Sequence, residues 1–159
     1  MSDTSTPSDP LQADLEAIER TMLQLGWATH RQLAQELSEF NLTVPQYTAM
    51  KALQNAGDNC TMSELADAAR QISATMTGIV DRLVERGLLT RQRDPADRRA
   101  VRITLTEDGR QLLAAIQQKK RARLRQFLEQ LTPAERQDFV RLVEKYLTVV
   151  YGSSGLKNR

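Results

Sequence analysis

The stretch "ELADAARQISATMTGIVDRLVERG", residues 64–87, decides the fold. Leu65, Ala66 and Ala69 make a short apolar face. After a break around Arg70–Ile72, Met76, Ile79, Val80 and Leu83 recur at i, i+3, i+4 and i+7, and Gly87 stands where a helix ends. Two short helices with small residues on the first and a tight connection read as a helix-turn-helix. With the apolar stripe inward, the second helix turns Ser73, Thr75, Thr77, Gly78 and Arg82 outward.

After Gly87 the period changes to two. "LLTRQRD" (88–94) and "AVRITL" (100–105) read as strands, and "PADRR" (95–99) as the tip of the hairpin between them. Thr106 then reads as the N-cap of a long helix, with Glu107 and Asp108 favourable in its first turn. Upstream, Asp9-Pro10 reads as an N-cap with proline at the first helical position. Leu11, Leu15, Ile18, Met22 and Leu25 follow as a seam on a helix running to about Glu39. Three capping boxes, Thr43-x-x-Gln46, Thr61-x-x-Glu64 and Thr132-x-x-Glu135, open further helices. Leu113, Ile116, Leu124, Phe127 and Leu131 keep helical spacing, as do Phe139, Leu142, Val143, Tyr146 and Val150.

The fold class expected is therefore mainly α: a winged helix-turn-helix with a small β-hairpin wing, flanked by long N- and C-terminal dimerisation helices. The divisions are a disordered tail at 1–8, a dimerisation helix at 9–40, a winged helix-turn-helix lobe at 41–106, dimerisation helices at 107–151 and a tail at 152–159. Within the lobe the helix-turn-helix spans 61–87 and the wing 88–105. A lone helix at 9–39 must bury its seam, and a second copy of the chain does so most simply.

Composition narrows the class. A chain of 159 residues with 40% hydrophobic side chains can build a real core. No basic leader or long apolar run is visible, which excludes a membrane span, and the single Cys60 fits a reducing cytoplasm. One histidine, His30, leaves no histidine-rich metal site, and no cofactor motif is found. Residues 1–60 carry 3 basic and 8 acidic side chains, residues 111–159 carry 10 and 4, so part of the surface suits an anionic partner.

At this point a family resemblance emerges. "LVERGLLTRQRDPADRRAVRITLTEDG", residues 83–109, resembles the wing of the MarR (multiple antibiotic resistance regulator) family, and "MSELADAARQISATMTGIVDRL", residues 62–83, resembles its helix-turn-helix. The order of elements from about residue 11 to 151 fits as well. The resemblance implies a homodimeric winged-helix transcriptional regulator, often released from its operator by a small ligand or an oxidant.

A second helix of this kind enters the major groove, where base edges are readable. Ser73, Thr75, Thr77 and Arg82 are the expected DNA contacts; Ser73 could instead be a simple cap, and Arg82 could pair with Asp81 or Glu85. Gly78 departs from the longer polar or basic residue often found in the family, which thins direct readout or lets the helix approach DNA closely. By resemblance, Arg99 enters the adjacent minor groove, Asp97 orients it, and Arg98 meets phosphate or braces the wing. Arg91, Arg93 and Arg102 are phosphate contacts or structural pairs. The expected function is a repressor that binds a pseudo-palindromic operator as a homodimer.

The input signal is less legible. The resemblance suggests a crevice for an aromatic or phenolic effector, with Met22, Trp27, His30, Tyr47 and Met50 as candidates; ordinary core packing competes for each. Cys60 could be a redox switch. The family's peroxide sensors carry their cysteine in the first long helix, and none lies there here. The run Lys119–Arg125 reads as a solvated face. A winged helix that binds protein is a rival, opposed by the small polar face at 73–78 and the basic wing. An enzyme is the other, opposed by the lack of a nucleophile–base set.

Overall fold

Asp9 caps the first helix as the sequence predicts. In the computed structural model, which describes residues 9–69, 73–93 and 101–155, its side chain accepts the Leu11 amide at 3.1 Å and satisfies one orphan N–H of α1, Pro10–Ser38. The tails at 1–8 and 156–159, the 70–72 break and the wing tip at 94–100 lie outside the described residues.

The chain divides into two units, Met1–Val44 and Pro45–Arg159. The first is α1 and the turn after it, where the Leu42 amide bonds back to the Leu37 carbonyl at 2.9 Å. Leu11, Leu15, Ile18, Met22, Leu25 and Trp27 on α1 are all exposed, Trp27 by 77%. The seam expected of the sequence is present and uncovered in the single chain.

The second unit holds all but the first residue of α2 (Val44–Asn55), then β1 (Asn59–Thr61), α3 (Met62–Ala69), α4 (Ser73–Glu85), β2 (Leu89–Arg93), β3 (Val101–Leu105), α5 (Glu107–Glu129) and α6 (Pro133–Gly155). Its core gathers Leu53, Leu65, Ala66, Met76, Val80, Leu83, Leu89, Ile103, Leu113 and Ile116, all essentially inaccessible. Burial of each large apolar side chain contributes about 1.5–3 kcal/mol. Ile79, expected inward, is half-buried, because the stripe centres on Met76, Val80 and Leu83.

The three strands form an antiparallel sheet in the order β1-β3-β2. Cys60 faces Ile103 in register, so β1 lies beside the wing, and Thr90 and Thr104 share a hydroxyl bond at 2.6 Å across the β2–β3 pair. Gly87 has φ 70, a left-handed conformation that costs a glycine nothing, and the Leu88 amide returns to the Leu83 carbonyl at 2.9 Å. This sharp stop turns the chain from α4 into the wing.

The Thr61–Glu64 and Thr132–Glu135 boxes both form. In each, the glutamate accepts from the threonine amide, at 2.7 and 2.8 Å, and the threonine hydroxyl accepts the glutamate amide at 3.3 Å. Those bonds hold both carboxyls below the ordinary carboxylate range; the backbone N–H has the larger effect and the hydroxyl the next. The last helix is interrupted at Gly152, where φ 70 and ψ 164 leave the helical region, close to the boundary expected for the C-terminal tail.

Candidate nucleic-acid interface

Helix α4 is amphipathic in the sense the sequence demands. Met76, Val80 and Leu83 are fully buried, while Thr75, Thr77, Gly78 and Arg82 are exposed on the other side. Ser73 is the first residue of the helix. The outward face is thus made of short hydroxyls, a glycine and one long cation, which is a surface able to hydrogen-bond phosphates and base edges without steric bulk.

Of the two acidic residues on this side of α4, Asp81 and the exposed Glu85, the first is neutralised. Asp81 Oδ1 lies 2.5 Å from Arg91 Nη1 on β2, so its carboxylate is engaged by Arg91 rather than by Arg82, the neighbour the sequence offered. Arg91 Nη2 also reaches within 4.0 Å of the Met62 sulfur at the start of α3. One arginine therefore ties the first arm of the wing to both helices of the helix-turn-helix. It is a structural pair, one of the two roles open to it. Arg102 on β3 adds its positive field to Glu64. The wing-tip residues Asp97, Arg98 and Arg99 lie outside the described residues, but the two arms that carry them, β2 and β3, are in place.

The base of the wing is locked to α5. The Thr106 hydroxyl donates to the Gly87 carbonyl at 2.7 Å and accepts the Gly109 amide at 3.0 Å, while the Thr106 amide bonds to the Leu88 carbonyl at 3.1 Å. Gly109 is required by close approach: a Cβ there would lie 2.3 Å from the Leu88 carbonyl oxygen. The Leu-Thr-x-x-Gly pattern was visible in the sequence, but its reason is this contact. Arg110 adds a bond to the Leu105 carbonyl at 2.9 Å and an ion pair with Asp58 at 3.4 Å.

The five candidate effector residues fall into two sets. Met22, Trp27 and His30 are exposed on α1, and Trp27 lines an open groove of about 410 Å³ with Ala28, Arg31, Gln32 and Gln35. Tyr47 and Met50 are buried in α2. Lys120, expected on a solvated face, is half-buried, with Nζ 5.5 Å from the Tyr47 ring centre and 3.5 Å from its hydroxyl. Cys60 is buried, and desolvation pushes its thiol up, with Glu64 adding to the rise. Among the described residues no cluster could hold a metal ion, and no helix is long and apolar enough to cross a membrane.

A helix-turn-helix whose second helix is braced to a β-hairpin wing is the architecture the comparisons return. The sequence profile of the MarR family matches residues 42–101. The uncharacterized HTH-type transcriptional regulator YsmB of Bacillus subtilis is 30% identical over 128 residues, covering 80% of this chain and 86% of that protein. This chain belongs to the MarR family.

Solved MarR-type structures agree. A MarR family protein from Bacillus stearothermophilus superposes with a TM-score of 0.78 at 25% identity, covering 87% of this chain and 96% of that one. BpsR of Bordetella bronchiseptica, whose DNA binding is described as regulated by 6-hydroxynicotinic acid, is 32% identical with a TM-score of 0.58, covering 79% and 96%. As a MarR-family winged-helix protein, the chain is a DNA-binding transcriptional regulator, and its family and relatives are regulators rather than enzymes.

Proposed function

We propose that this MarR-family regulator is a homodimeric repressor that places α4 in the major groove and the wing tip in the adjacent minor groove of a pseudo-palindromic operator. The observation that carries the reading is the division of α4: a fully buried apolar stripe on one side, and Thr75, Thr77, Gly78 and Arg82 exposed on the other. Ser73, the first residue of α4, is the further candidate for a phosphate contact at a helix N-terminus. Arg99 enters the minor groove, Asp97 orients it, and Arg98 contacts phosphate. The exposed apolar residues of α1 and α6, among them Leu15, Ile18, Leu142 and Val143, are the surface a second copy covers.

Release follows binding of a small aromatic acid. Support comes from Trp27 and Arg31, four residues apart on one exposed face of α1, an aromatic ring and a cation that suit a planar carboxylate, and from the aromatic acid named for BpsR. Met22, His30, Tyr47 and Met50 remain the other candidates. A redox switch at Cys60 is disfavoured, since a buried thiol with a raised pKa is a poor source of thiolate.

The test is selection from a random pool of 30-base-pair duplexes, followed by titration of the enriched duplex. Arg99→Ala is expected to weaken binding by at least about tenfold and to remain dimeric. Unchanged affinity removes the minor-groove assignment.

A further inference from the structure

Gly78 lies inside α4, yet nothing among the described residues calls for a glycine there. It is not among the positive-φ residues, which among the described glycines are Gly57, Gly87 and Gly152. A Cβ built on it meets no atom within 4 Å, in contrast to Gly109, where the same atom collides with the Leu88 carbonyl. Neither backbone geometry nor packing selects it. In an exposed helix interior glycine is less stabilising than alanine, because its backbone loses more freedom on folding. The residue therefore weakens α4 without any compensation among the described residues.

Its position points outward. At about 100° per residue, Gly78 falls opposite the stripe of Met76, Val80 and Leu83, at the crest of the exposed face. Thr75 and Arg82, three residues before and four after, stand beside it on the same face. The Asp81 carboxylate next to it is held by Arg91, so the nearest negative charge is engaged, and the exposed Glu85 lies two turns further along the same face.

We infer that Gly78 sets the depth at which α4 docks: the missing Cβ lets the helix backbone come directly against a base edge or sugar-phosphate strand. The inference rests on the reading of α4 as the groove-entering helix. It accounts for the neighbours too. A threonine hydroxyl extends hardly beyond its own Cβ, so Thr75 and Thr77 reach DNA only if the helix axis lies close. A long side chain at position 78 would hold the axis away from both. Gly78 is thus a specificity-determining residue that acts by absence, and it makes readout at this position one of shape and approach.

The experiment compares full-length wild type, Gly78→Ala and Gly78→Leu on a 30-base-pair duplex that the wild type enriches from a random pool, with thermal melts of each protein. Gly78→Ala is expected to melt about 2–4 °C higher and to bind the duplex about tenfold or more weakly, with Gly78→Leu weaker still. Stability and binding then move in opposite directions, which a misfolded variant cannot imitate. Binding by Gly78→Ala within about twofold of wild type overturns the inference, and so does a lower melting temperature, which would mean that the fold itself needs the glycine. Should the wild type enrich no duplex at all, the DNA-docking reading falls first and the inference with it.

Discussion

Asp81 of α4 and Arg91 of β2 meet at 2.5 Å, so one ion pair joins the outward-facing helix to the first arm of the wing. Both side chains are about a third to a half exposed, at 46% and 32%, and such a pair contributes only about 0–1 kcal/mol to stability. On the proposed docking, its value lies in fixing the angle between two elements that reach adjacent grooves together. Asp81→Asn separates this role from simple electrostatics. Removing a negative charge from a DNA-facing helix should raise affinity; losing the brace should lower it. We expect a fall of about fivefold or more, with the melting temperature within about 2 °C of wild type. A gain in affinity on titration would show that the pair positions nothing.

The wing base gives a prediction about stability alone. Gly109→Ala forces a Cβ to 2.3 Å from the Leu88 carbonyl oxygen and 3.1 Å from Leu105 Cδ2. Overpacking of this kind costs about 1–3 kcal/mol, and the Leu88 carbonyl also accepts the Thr106 amide, so the strain spreads to the α5 cap. Thermal melting should show a clear loss for Gly109→Ala and none for Gly26→Ala, whose added Cβ meets nothing within 4 Å. Equal melting temperatures for the two variants would contradict the contact.

The acid limb of stability carries the signature of the capping boxes. Glu64 and Glu135 have folded-state pKa values below the ordinary 4.5, first through the threonine amide and then through its hydroxyl. A lowered folded value means that the contribution is complete above the unfolded value and is lost as pH falls through the folded one. The difference in melting temperature between wild type and Glu135→Ala should therefore be full at neutral pH and shrink below about pH 4.5. A difference that is constant down to pH 2 would rule out the charged cap.

An apolar face this exposed should define the oligomer. Leu142, Val143 and Tyr146 on α6 are between 40% and 56% exposed. Val143→Asp places a charge within that face, where burial without a partner is costly. Sedimentation equilibrium is expected to show a dimer for wild type and a shift towards monomer for the variant. A wild type that sediments as a monomer at micromolar concentration would leave the face without its proposed cover.

Much of this was legible because it is local. Asp9-Pro10, the Thr61 and Thr132 boxes, Gly87 and the Thr106 cap are each decided within a few residues by backbone hydrogen bonding, and all form as read. The stripe of Met76, Val80 and Leu83 follows from helical periodicity. What the sequence left open depends on distance in space. Asp81 had Arg82 beside it in the chain, and only the folded sheet brings Arg91 closer. Lys120 looked solvated within a basic run, but a partner 73 residues away, Tyr47, draws it in. The reason for Gly109 is a carbonyl on another segment. Arg99, Asp97 and Arg98 lie outside the described residues, so their roles rest on the resemblance and on the position of the two arms.

The central claim is that two copies of α4 occupy successive major grooves on one face of a duplex. Dimethyl sulfate protection on the wild-type-enriched duplex reads it directly, because guanine N7 lies in the major groove. The account predicts two protected patches centred about 10 base pairs apart, both lost with Arg82→Ala or Arg99→Ala at the same protein concentration. Protection confined to a single patch, or an unprotected major groove under saturating protein, would contradict it.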